Sequence, residues 1–190
     1  MQNQRFKIIT EIAIFAVLAL ILDLLDIGFG WTIEISVKLL PIILLSLRRG
    51  IGPGLVGGLL YAVLQTMVGN AWILSPIQYL LEYPIAFASV GLAGFMHRPM
   101  QRVLLTEPAN KRKQTGIAVL AMLIAFVVKY INQILAGVFF WADNLPEHLN
   151  AWTNSLIINV PAFFTEGATV LIVIVILVRW YEPLLLTNED

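Results

Sequence analysis

Apolar residues in this chain fall into long, nearly uniform blocks separated by short polar segments. Ile8 to Leu25 follows Arg5 and Lys7 and is long enough to cross about 30 Å of hydrocarbon. A cleavable signal peptide would have a shorter apolar core and a small-residue cleavage site, whereas Asp23 and Asp26 close this run without one. Ile33 to Leu47 is shorter and carries Glu34 and Lys38. Ile51 to Val68 opens with Gly52, Gly54, Gly57 and Gly58, small residues that let helices approach closely in lipid. Ile77 to Phe95, Gly116 to Trp141 and Asn154 to Val178 complete six predicted spans. No internal repeat or low-complexity linker divides them. Residues 1–190 therefore read as one all-α integral membrane domain of six transmembrane helices.

Composition agrees. Of 190 residues, 59% are hydrophobic and 13% charged, against about half and about a quarter in soluble domains. One small core could not hide that much apolar surface, which excludes a soluble enzyme. The 12 basic and 12 acidic residues cancel, leaving no long-range field to attract nucleic acid. Cysteine is absent, and His97 and His148 lie in separate loops, so no metal site and no cofactor are expected.

Basic residues orient the chain. With the N-terminus inside, the cytoplasmic segments hold Arg5, Lys7, Arg48, Arg49, Arg98, Arg102, Lys111, Arg112, Lys113 and Arg179, leaving only Lys38 and Lys129, both within spans. Outer loops hold none, which predicts a multi-pass membrane protein with both termini cytoplasmic.

A charge at membrane depth costs roughly 2.5 to 3.5 kcal/mol on insertion scales, so it faces protein or a wet cavity. Glu11, Glu34, Lys38, Glu82, Lys129 and Glu166 are such charges, joined by Asn132, Gln133, Asn154 and Asn159. At 1.5 Å per residue, Glu82 and Asn159 lie within about 9 Å, and Gln133 about 12 Å, of the outer ends of their spans. Three helices thus bring hydrogen-bonding groups to one outer layer. Lys129 and Glu166 lie deeper, at similar depth. Trp31, Trp72, Trp141 and Trp152 all fall on the outer side. They read either as an interfacial belt or as the mouth of a pocket for a flat ring, where aromatic faces stack and attract cations and buried polar groups fix orientation. Bland readings stand beside these: Glu82 or Glu166 as a structural partner of Lys129, and Glu34 with Lys38 as a local pair.

There is no GxxxxGK[ST] phosphate loop, no HExxH and no serine–histidine set at a plausible depth. The chain therefore has no ATPase site of its own and no recognisable catalytic set, and is not expected to be an enzyme.

The segments TEIAIFAVLALIL (10–22), LLSLRRGIGPGLVGGLLYAV (44–63), ILSPIQYLLEYPIAFASVGLAG (73–94) and KYINQILAGVFFW (129–141) resemble one family. It is the thiamin-specific substrate-binding subunit, or S-component, of energy-coupling factor (ECF) transporters. The resemblance implies six helices in the lipid bilayer of a prokaryotic cell membrane, a vitamin pocket near the outer face and, as partners, a transmembrane coupling protein and two cytoplasmic ATPases. By position, Glu82 and Tyr83 match the family's ligand-contacting pair, Trp141 its stacking Trp and Asn159 its pocket Asn. Trp31 matches the Trp before span two, Lys129 and Tyr130 a Lys-Tyr pair, and Trp72 a further aromatic. Gln133 and Asn154 depart, standing where the family has His and Tyr. Ala13 and Val17 occupy the family's small partner-docking face, and Ala13, Ala16 and Ala19 together are the expected contact with the coupling protein.

Replacing two ring faces by two amides suits a smaller ligand rich in hydroxyls. A pyridoxine-type (vitamin B6) ligand is therefore the expected cargo, with thiamin or its hydroxymethylpyrimidine precursor as the alternative. A stand-alone secondary transporter, coupled through Lys129 and Glu166, is the alternative of another class.

Overall fold

A computed structural model describes residues 2–29, 33–69, 71–141 and 149–187. Trp31 and His148 lie outside the described residues. Helix α1 (Gln2–Asp23) leads into a two-stranded hairpin, β1 (Ile27–Phe29) and β2 (Ile33–Ile35), paired antiparallel with Gly28 opposite Glu34. Then follow α2 (Leu40–Arg49), α3 (Ile51–Val68), α4 (Pro76–Thr106), α5 (Lys111–Phe140), α6 (Ala151–Trp180) and a closing 3-10 turn (Glu182–Leu184).

Among the described residues, α3 to α6 are long and apolar enough to cross a membrane. In α1, the charges at Arg5, Lys7, Glu11 and Asp23 leave residues 12–22 as the longest uncharged run. The block expected as a continuous span from Ile33 to Leu47 is instead split into β2 and the ten-residue α2. The physical reason is its charge. In the hairpin Glu34 turns back to pair with Lys38, whose Nζ also lies 3.2 Å from Asp23 and 3.0 Å from Asp26 at the end of α1. Pro41 then sits in the first turn of α2, where a missing N–H costs no helical bond.

Helix α2 is buried from Leu40 to Leu47, enclosed by α1, α3 and the middle of α4. A helix apolar on all sides belongs in such a place. Its C-terminal Arg48 and Arg49 reach Glu11 of α1 at 3.1 Å and 2.6 Å, so the SLRRG segment fastens two helices at the expected cytoplasmic end. Gly50, at φ +89°, makes the sharp turn into α3 that a side chain would strain.

The tightest crossing joins α3 and α4. A Cβ at Gly58 would run into the Phe87 carbonyl, and one at Gly91 or Gly94 into the backbone of residues 50–55. Helix α4 accommodates this by changing its winding: a π turn at Leu81–Ile85, a 3-10 stretch at Val90–Met96, and α-helix elsewhere. Pro84, inside the π turn, supplies no N–H to the ladder.

One expectation for α1 is corrected here. Ala16 and Ala19 have no exposed surface and pack in the core, because they lie on the side of α1 that meets α2 and α3. The outward side carries Ala13, Ile14, Val17 and Leu18. Of the three alanines, only Ala13 is available to a partner.

Candidate functional site

The π turn of α4 sets out two of the sequence-predicted residues, Glu82 and Tyr83. Such turns interrupt the regular ladder and recur at functional sites. Opposite them stand the C-terminal end of α5, with Gln133, Gly137 and Trp141, and the first turns of α6, with Asn154, Ser155, Ile158 and Asn159. Trp72, from the segment between α3 and α4, completes the wall of a cavity of about 360 Å³. That size falls within the range for a small organic ligand.

Aromatic rings line the cavity from α4, from the end of α5 and from the segment before α4. The Trp72 and Trp141 rings lie 6.4 Å apart at 45°, and Tyr83 stacks on Tyr79 at 5.7 Å. Glu82 is the one carboxylate among the described lining residues, and no lysine or arginine lines the cavity with it. Its partners are the Gln78 side-chain amide and the Trp141 indole. Asn159 is held by its own helix, donating to the Ser155 carbonyl at 2.9 Å, while Ser155 Oγ donates to the Ile134 carbonyl at 2.8 Å and ties α6 to α5. Gly137 admits this contact, since a Cβ there would strike Ser155 Oγ. Gln133 and Asn154 add side-chain amides to the cavity lining.

The structure therefore gathers Glu82, Tyr83, Trp72, Gln133, Trp141, Asn154 and Asn159 around one cavity. Lys129 is elsewhere. It is buried beneath the cavity's lining residues in α5, with Nζ 2.7 Å from Glu166 Oε2, and Tyr130 donates to the same oxygen at 2.8 Å. Of the two partners open to Lys129 in the sequence, the fold selects Glu166. Trp31 is outside the described residues. Sequence reading missed Gly137, Ser155 and Gln78; the last is four residues before Glu82, one helical turn away, and that spacing was the available signal.

A carboxylate set among aromatic faces, with side-chain amides around it, is suited to an uncharged or cationic heteroaromatic ring that donates hydrogen bonds. Residues 9–186 match the family described as thiamine transporter protein (Thia_YuaJ). The chain belongs to that family. It is similar to the thiamine transporter ThiT of Lacticaseibacillus paracasei, at 34% identity over 181 residues, 93% of this chain and 89% of that protein. The thiamine transporter ThiT of Bacillus subtilis is 30% identical over 170 residues, 85% of this chain and 87% of that one. A solved structure of ThiT from Listeria monocytogenes superposes with a TM-score of 0.90 at 29% identity, covering 97% of this chain and all of the other. Membership of the thiamine transporter family makes this a multi-pass cell-membrane transport protein.

The expectation of a pyridoxine-type cargo is corrected by these relatives, which are thiamine transporters by name. It rested on Gln133 and Asn154 having displaced two rings. The cavity keeps ring faces from Trp72, Tyr83 and Trp141, so two added amides do not remove its aromatic character.

Proposed function

We propose that this chain is the thiamin-binding S-component of an ECF transporter. It takes thiamin from the outer face, spans the membrane six times with both termini cytoplasmic, and is energised by a coupling membrane protein and two cytoplasmic ATPases. The observation that carries the ligand is Glu82, the single carboxylate among the described lining residues of a cavity walled by Trp72, Tyr83 and Trp141. Its oxygens suit the exocyclic amine of the aminopyrimidine. The aromatic faces suit the cationic thiazolium, with cation–π contacts worth about 0.5–2 kcal/mol each.

Titrating the purified protein with thiamin, pyridoxine and hydroxymethylpyrimidine, followed by tryptophan fluorescence, tests this. Thiamin should quench Trp72 and Trp141 and bind at least tenfold more tightly than pyridoxine; equal or reversed affinities would refute it. A stand-alone secondary transporter has less support, because Lys129 and Glu166 pair with each other away from the cavity.

A further inference from the structure

Gln78 lies outside the cavity lining and has no exposed surface, yet its side chain is fully engaged. Its Nε2 donates to Glu82 Oε2 and, at 3.1 Å, to the Trp72 carbonyl; its Oε1 accepts from the Leu74 amide at 2.9 Å. The Trp72 amide donates to Tyr83 Oη at 2.8 Å. Both backbone polar groups of Trp72 are therefore held by α4 side chains, one of which also holds the carboxylate. Ser75, capping α4 by accepting from the Gln78 amide at 3.2 Å, fixes where Gln78 begins its reach.

We infer that Gln78 is a positioning residue for ligand specificity: beside the Trp141 indole it holds the Glu82 carboxylate through Oε2, and through the Trp72 carbonyl it sets the Trp72 wall at a fixed distance from that carboxylate. A residue that only filled space in α4 would need neither its donor nor its acceptor. A glutamine does what a carboxylate there could not, since it donates to two oxygens while accepting from an N–H. The inference rests on the thiamin reading for its ligand, though the geometry of Gln78 does not depend on it.

Two measurements on the full-length protein test it. In the first, Gln78→Leu and Gln78→Glu are titrated with thiamin from pH 5 to pH 8 by tryptophan fluorescence. Gln78→Leu should lose at least tenfold in affinity at every pH. Gln78→Glu should bind progressively worse as pH rises, because two carboxylates in hydrogen-bond contact resist ionising together, and should recover toward acid pH, where the protonated acid can donate. A merely structural role predicts lowered melting temperatures with no such slope, and that result would overturn the inference. In the second, ligand-free hydrogen exchange over residues 71–76 should be faster in Gln78→Leu than in the natural protein, as the Leu74 amide loses its acceptor. Unchanged exchange would equally overturn it. If the natural protein failed to bind thiamin, the thiamin reading would fall while the exchange result would still decide the role of Gln78.

Discussion

Lys129 Nζ donates to Glu166 Oε2 across 2.7 Å from facing turns of α5 and α6, with both side chains shut off from solvent. The ammonium also lies 4.3 Å from the centre of the Tyr130 ring, and Tyr130 donates to the same carboxylate. A buried pair of this kind does little for net stability against an apolar replacement, but removing one member leaves an uncompensated charge. Lys129→Met should therefore destabilise the protein by about 3–5 kcal/mol, and Lys129→Met with Glu166→Leu should recover most of the loss. Thermal unfolding in detergent measures both. A double variant as unstable as the single would mean the pair does not act as a unit.

Glu82→Gln keeps the shape of the side chain and removes its charge. A hydrogen bond to a charged group contributes about 1.5–3 kcal/mol, so thiamin affinity should fall roughly ten- to hundredfold. The melting temperature should change little, because Glu82 has no ion-pair partner among the described residues. Fluorescence titration beside a melting curve separates the two effects.

The α1 surface can be tested at neighbouring alanines of opposite burial. Ala16→Leu adds volume inside a packed core and should cost about 1–3 kcal/mol in stability. Ala13→Trp projects outward; it should leave folding and thiamin binding unchanged but block uptake in cells that supply the energising module. Normal uptake by Ala13→Trp would remove this face of α1 from the docking surface.

Glycines on α3 differ in what surrounds them. Gly58→Ala pushes a methyl into the Phe87 backbone and should destabilise by at least the 1–3 kcal/mol expected of overpacking. Gly52→Ala meets nothing within 4 Å and should be neutral or slightly stabilising. Equal melting temperatures would contradict the close crossing of α3 and α4.

Depth arithmetic worked where helices are regular. The block Ile51 to Val68 coincides with α3, and Gln133 of α5 and Asn159 of α6 line one cavity, as their similar depth predicts. It also placed Lys129 level with Glu166, although their pairing needed the fold. The hairpin was not legible: Ile27–Phe29 and Ile33–Ile35 are three-residue strands, too short for a two-residue alternation to show. Nor could small residues on α1 reveal their direction, since Ala16 facing α3 and Ala13 facing outward have the same chemistry. Gln78 was hidden for a different reason. A polar residue near a helix start usually meets water, and only the return of residues 72–75 across that start encloses it.

The mixed winding of α4 has a consequence for how the protein tolerates insertion and deletion. The π turn lags behind α-helical rotation and the 3-10 stretch runs ahead of it, so the angle between the Glu82 side and the Gly91 side depends on both irregularities. Losing one residue between Leu81 and Ile85 could yield a smoother helix with every side chain still present. It would also swing the carboxylate around the axis relative to the glycine seam that anchors α4 to α3. The helix would keep its seat and lose its aim. Length in this segment is thus as much a determinant of the binding site as the identity of the residues in it.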